Sequence, residues 1–143
     1  MTNVLIQRIA DVQIPSYANA GDAGADLQCV EDFTLLPGER KLVGTGVKIA
    51  LEPGFVGLLH PRSGLAAKHG VTIVNAPGTI DAGYRGEIKV CLLNTDANSP
   101  VQFSAGDRIA QLVIQRFEKA DFLEVGELPE AARGESGFGS SGK

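Results

Sequence analysis

The sequence predicts an all-β fold, a sandwich or a jelly-roll-like barrel, and three observations predict it. Its 18 glycines recur between short apolar runs instead of gathering in one linker, which is the spacing of many short strands joined by tight turns. Several of those runs alternate apolar and polar residues, the period of a strand with one buried face. Only one short segment, residues 63–70, departs from this pattern.

Taken in order, Val4 to Ile9 forms the first expected strand, and Leu35-Leu36-Pro37-Gly38-Glu39 closes a second segment with a turn dipeptide. Val43, Thr45, Val47, Ile49 and Leu51 then alternate with Gly44, Gly46, Lys48, Ala50 and Glu52, the cleanest period-two run in the chain. Phe55 to Leu59, Val71 to Val74, Glu87 to Leu93, Val101 to Phe103 and Ile109 to Phe117 supply further strands. The exception, Ser63-Gly64-Leu65-Ala66-Ala67-Lys68-His69-Gly70, carries a capping hydroxyl, helix formers, cations at its end and a stopping glycine, so it predicts one short helix. From Gly126 onward the apolar pattern fades into glycine, serine and charge. The chain therefore divides into a β-domain over 1–126 and a tail over 127–143 that cannot bury enough surface to offset its ordering entropy.

A chain of 143 residues and 15.0 kDa fits one domain with its own core. The hydrophobic content of 43% and a mean hydropathy near zero, +0.05, describe a globular protein in water. No stretch approaches the roughly 20 apolar residues of a membrane span. The start MTNVLIQRIADVQ lacks a signal peptide's apolar core, so the expected location is cytoplasmic and no membrane partner is expected. Cys29 and Cys91 are too few for a disulfide scaffold, and with only His60 and His69 a histidine-based zinc site is not expected. A net charge of −4 and a pI near 5.1 exclude a broad basic field, hence no nucleic-acid partner, while leaving room for a small anion met by local arginines.

The richest stretch is NAPGTIDAGYRGEIKVCLLN, Asn75 to Asn94. Pro77-Gly78, Ala82-Gly83 and Arg85-Gly86 mark turns, and the alternation of Ile88, Val90 and Leu92 marks a strand, so Asp81 and Tyr84 are expected in or beside a tight hairpin. Alone, an aspartate before Ala-Gly is more often a turn residue, and a tyrosine near a strand more often core or rim. The start of the 63–70 helix offers unpaired N–H groups beside Arg62, an arrangement that attracts phosphate. Ile109 to Ile114 is apolar on both faces except for Gln111, which must find hydrogen-bond partners or face a site. Gly106-Asp107-Arg108 reads as a turn whose two charges form an ordinary ion pair. In the tail, Phe138 among glycines, flanked by Arg133 and Lys143, describes either a solvated terminus or a flap that orders over an anionic, aromatic ligand. Gly137, Gly142 and Lys143 spell GxxxxGK, but without the serine or threonine, the leading strand or a following helix this is not a Walker loop.

Five segments in register, AGADL (23–27), PRSGLA (61–66), NAPGTIDAGYRGE (75–87), GDRIAQ (106–111) and RGESGFGSSG (133–142), resemble the motifs of the trimeric dUTP nucleotidohydrolases, the dUTPases. They span nearly the whole chain, and five together are far more specific than any one. The resemblance implies a jelly-roll-like (β-clip) barrel assembled as a homotrimer with shared active sites. It also implies Mg2+-dependent hydrolysis of dUTP to dUMP and pyrophosphate, which limits dUTP and supplies dUMP for thymidylate synthesis. By similarity, Asp81 takes the proton of the water that attacks the α-phosphorus in line, and Asp26 anchors the metal through water. Arg62, Ser63, Gly64 and Gln111 match phosphate contacts. Asn75 and the backbone through Ile80 match the uracil contacts, and Tyr84 packs on the deoxyribose. Arg133 matches a γ-phosphate contact, Phe138 the aromatic over the base, and Gly139, Ser140 and Ser141 further donors in the flap. Ala25, where the family often has a bulkier residue, is a departure that does not touch this chemistry. Two alternatives stand beside this reading. A dCTP deaminase-like enzyme of the same fold usually has a second serine where Gly64 stands and lacks such a tail; a non-catalytic nucleotide-binding trimer would have no need of Asp26 and Asp81 together.

Overall fold

The computed structural model describes residues 2–131. The all-β expectation holds: the strands are β1 (Leu5–Arg8), β2 (Gly24–Gln28), β3 (Phe33–Leu35), β4 (Arg40–Gly44), β5 (Val47–Ala50), β6 (Phe55–His60), β7 (Val71–Ile73), β8 (Gly78–Ile80), β9 (Lys89–Asn94), β10 (Val101–Phe103) and β11 (Arg108–Arg116), with one helix, α1 (Ser63–His69). They form four antiparallel ladders, β2-β11-β6-β8, β4-β9-β7, β1-β5 and β10-β3, in the jelly-roll-like manner of strands paired across long stretches of sequence. One apolar core joins them, and its least exposed members include Leu35 of β3, Ala110 of β11 and the cross-strand pair Val43 and Val90 of β4 and β9. Phe33 and Phe103 close one end of it by stacking at 4.7 Å between ring centroids. A buried amide holds the rim. Asn94 donates from Nδ2 to the carbonyls of Leu35 (3.0 Å) and Ser99 (2.9 Å) and accepts from the Asp96 N–H (2.9 Å), so its burial leaves no orphaned polar atom.

Three local expectations are corrected. The alternating run 43–52 is two strands, because the backbone turns at Gly46, whose φ of 68° an L side chain rarely adopts. A Cβ there would also lie 2.7 Å from Val30 Cγ1 and 2.9 Å from Ala10 Cβ. β4 thus joins β9 while β5 joins β1. The stretch around Asp81 is not a hairpin: β8 pairs with β6, whereas β9 pairs with β4 and β7, so residues 81–88 cross between two sheets. Ser63 does not cap the helix, since Arg62 occupies the N-cap position, without a side-chain cap, and Ser63 is already helical. The stopping glycine is as expected, Gly70 being left-handed at φ 64° with its N–H bonded to the Ala66 carbonyl at 3.0 Å.

Beyond β11 the described chain adds no helix or strand, and residues 117–131 are exposed throughout. Both cysteines are free. Burial pushes the Cys29 thiol above its ordinary value, as suits a packed small residue.

Candidate active site

The strand registers assemble one wall of a cleft. Gln111 of β11 lies opposite Asp26 of β2 on one side and His60 of β6 on the other, so the three stand on one cross-strand rung and face the same way. Their neighbours Ala25, Leu27, Leu59, Ala110 and Leu112 point to the opposite face and are buried, which fixes the register. The chain leaves β6 through Pro61 and delivers Arg62, Ser63 and Gly64 to the same place. The resulting cleft has a volume of about 610 Å3 and is bordered also by Asp22, Gly24 and Arg108.

Its polar groups are interlocked. Arg62 donates from Nε to Asp26 Oδ1 at 3.0 Å and from Nη1 to the Arg108 carbonyl at 3.3 Å. Arg108 donates from Nη1 to the other carboxylate oxygen, Oδ2, at 3.2 Å. Gln111 donates from Nε2 to the Pro61 carbonyl at 2.9 Å, which answers the demand that a polar residue in a central strand be satisfied. The absence of a side chain at Gly24 makes room for it, since a Cβ there would stand 2.9 Å from Gln111 Cδ. Two arginines, Arg62 and Arg108, stand with two aspartates, Asp26 and Asp22, around the cleft, so its formal charge is balanced and the two guanidinium groups are what can meet an anion.

Asp107 is a correction. Its Oδ2 accepts the Ser104 N–H at 2.8 Å, closing the 104–107 turn, so Arg108 pairs with Asp26 rather than with its neighbour. The sequence reading missed Arg108, His60 and Asp22 as members of the site. For Arg108 the signal was present, because an aspartate following Ala-Gly in a turn bonds its own backbone and leaves the next residue free.

The second group of expected residues lies elsewhere. Asn75, Asp81 and Tyr84 are exposed, and none of them borders the cleft. Ile80 is 6% exposed and its side chain belongs to the core, so only its backbone can meet a ligand. Because Ile80 pairs with Gly57, Asp81 emerges near Val56, four residues from His60 along β6, or roughly 13 Å at about 3.3 Å per residue. The loop is bonded mainly to itself. The Asp81 carbonyl accepts the Tyr84 N–H (3.0 Å), Tyr84 donates its hydroxyl to the Glu87 carbonyl (2.9 Å), and Arg85 Nη1 donates to the carbonyls of Ala82 (2.6 Å) and Tyr84 (2.8 Å). Its exit is pinned by Ile88, whose N–H donates to Val47 (2.9 Å) and whose carbonyl accepts the Thr45 hydroxyl (2.7 Å). The Asp81 carboxylate has no hydrogen-bond partner among the described residues. Arg133, Phe138, Gly139, Ser140 and Ser141 lie outside the described residues.

A jelly-roll-like domain with an arginine-bearing cleft and a separate acid-bearing loop defines a class of protein that handles small phosphate-bearing ligands. Comparison narrows the class: the dUTPase family pattern matches residues 10–142, and the chain belongs to that family. It is 64% identical over 132 residues to a deoxyuridine 5'-triphosphate nucleotidohydrolase of Thermobifida fusca, covering 92% of this chain and 74% of that protein. A protein of the same name from Streptomyces avermitilis is 57% identical over 141 residues, covering 98% of this chain and 81% of its own. Among solved structures, the dUTPase of Staphylococcus bacteriophage 80alpha with dUPNHPP superposes with a TM-score of 0.92 at 29% identity, covering all of both chains. A point mutant of the dUTPase from phage phi11 of S. aureus, described with the coordination of a structural Mg(II) ion, gives 0.82 at 26% identity over 90% of this chain and 100% of that one.

Proposed function

We infer that the protein hydrolyses dUTP to dUMP and pyrophosphate, limiting dUTP and supplying dUMP. The observation that carries this is the pairing of family membership with an arginine-bearing cleft whose borders include Asp26, Arg62, Ser63, Gly64 and Gln111. In this reading Arg62, Ser63, Gly64 and Gln111 bind the phosphates. Asn75 and the backbone through Ile80 read the uracil edge, where fixed main-chain donors and acceptors reject cytosine's reversed pattern. Tyr84 packs on the deoxyribose, its ring held against Gly86 and its hydroxyl turned back to Glu87. Asp81, exposed and without a competing partner among the described residues, takes the proton of the water attacking the α-phosphorus as pyrophosphate leaves.

The separation of Asp81 from the cleft on one chain fits a site shared between copies, and the homotrimer is the assembly that the motif resemblance implies for it. The tail carries Arg133, Phe138, Gly139, Ser140 and Ser141 as a flap over the nucleotide, and the division at 126/127 separates body from flap. The donors at the cleft suit Mg2+. Asp26, Asp22 and Gln111 offer hard oxygens, the kind of donor that a cation keeping most of its waters takes. Asp26 would hold it through water, with charge neutralisation of the phosphates as its contribution when bound. No helix among the described residues is long and apolar enough to cross a membrane.

The test offers the full-length protein each deoxynucleoside triphosphate with Mg2+ and measures pyrophosphate and ammonia. Selective pyrophosphate release from dUTP is expected. Ammonia from dCTP would assign the deaminase chemistry instead, and binding without turnover would assign a non-catalytic role.

A further inference from the structure

We propose that Asp26 serves as the counter-ion of Arg62 and Arg108 before nucleotide arrives, that the triphosphate takes both arginines from it, and that Arg108 is the positioning residue that sets the cost of this exchange. The inference rests on the functional reading above. It assigns to Arg108 a role that neither the motif resemblance nor the family match supplies.

The geometry points to an exchange because each carboxylate oxygen already has one guanidinium, Oδ1 from Arg62 at 3.0 Å and Oδ2 from Arg108 at 3.2 Å. A triphosphate entering the cleft competes for the same donors, since guanidinium groups recognise phosphate in the way they recognise carboxylate. Once they turn to phosphate, Asp26 is a negative charge beside a polyanion, which is unfavourable unless a cation lies between them. Metal and nucleotide binding are then coupled through one carboxylate.

Arg108 is built for the mobile part. A β-bulge separates it from Ala110 in the pairing of β11 with β2, and this resets the alternation so that Arg108 faces Asp26 while Ile109 and Ala110 are both buried. Its side chain is 53% exposed, against 27% for Arg62, and although both arginines border an adjoining cleft of about 390 Å3, it is the more exposed guanidinium that has room to turn into it. Asp107 does not compete for it, being held by the Ser104 N–H. In the nucleotide complex without metal, Arg108 screens Asp26 from the phosphates.

The test is calorimetric titration of the full-length protein with an α,β-imido analogue of dUTP, in EDTA and in excess Mg2+. The variants are Asp26→Asn, Arg108→Gln and Arg108→Lys, with thermal melting of each as a check on folding. Asp26→Asn should bind the metal-free analogue more tightly than the natural protein, on the order of tenfold, within the usual range of coupling between sites, and should gain little from Mg2+. Arg108→Gln should lose more affinity in EDTA than in Mg2+, and Arg108→Lys should recover part of that difference. The exchange is overturned if Asp26→Asn binds the metal-free analogue no better than the natural protein, or if Arg108→Gln loses the same factor under both conditions. Failure of the natural protein to bind the analogue under either condition would instead remove the functional reading, and this inference with it.

Discussion

The cleft and the loop that carries Asp81 are built on opposite plans. The cleft is made by pairing: Asp26, Gln111 and His60 share a rung of one sheet, and ion pairs from Arg62, just beyond β6, and Arg108, at the start of β11, converge on Asp26. The loop is made by self-bonding between two sheets and leaves its acid and its phenol ring exposed. A polyanion site needs charges held at fixed separations, which cross-strand partners provide. A proton acceptor needs an open line to water and to a substrate brought from elsewhere, which an exposed loop on buried anchors provides.

Substitutions that leave one region intact test this contrast. Asp81→Asn has the largest expected effect, a loss of roughly 10²–10⁴ in kcat with nucleotide binding retained, measured by steady-state turnover beside calorimetry. Turnover close to normal would move the base out of the loop. Gly24→Ala acts on the cleft alone. The new methyl forces Gln111 off the Pro61 carbonyl, so KM for dUTP should rise and stability fall by about 1–3 kcal/mol, the usual cost of overpacking. An unchanged KM would mean that Gln111 does not contact substrate.

Gly86→Ala acts on the loop alone, because its methyl would meet the Tyr84 ring, with Cε2 at 2.9 Å. Discrimination of dUTP against UTP should weaken several-fold while the melting temperature moves little, since the affected segment is largely exposed. A large drop in melting temperature would show that the loop supports the fold after all. The smallest effect is expected outside both regions, at Asp96. The N–H groups of Asn98 and Ser99 hold its carboxyl below the ordinary 3.8. With the folded value depressed, the stabilisation is present above the unfolded value and is lost as pH falls through the folded one. Asp96→Asn should therefore melt slightly below the natural protein at neutral pH, and the gap should close in acid below about pH 3.8. A gap independent of pH would place its origin in something other than this carboxylate.

Much of this was legible in the residues. Glycine spacing and period-two alternation pointed to most strands of the body, though not to β2 or β8, and a lone Gln111 in an apolar strand announced a polar site. What escaped was non-local. Alternation continues unbroken through Gly46, since a change of sheet need not change which face is buried, so 43–52 read as one strand. Residues 75–94 have the local signals of a hairpin, yet β8 finds its partner in β6 because only the folded core decides pairing. The Arg108–Asp26 pair joins residues 82 positions apart, beyond the reach of any local motif. The placement of Arg62 and Gln111 was foreseeable in kind, as anion and polar contacts, but their convergence on one cleft was a product of register.

That register has an evolutionary consequence. Since Asp26, Gln111 and His60 sit on a common rung, deleting or inserting one residue in β2, β6 or β11 would turn that strand's contribution from the cleft into the apolar interior. Variation there is confined to replacement at constant length. The crossing between β8 and β9 belongs to no ladder, so its length is held by the placement of Asp81 and Tyr84 rather than by the burial of a strand face.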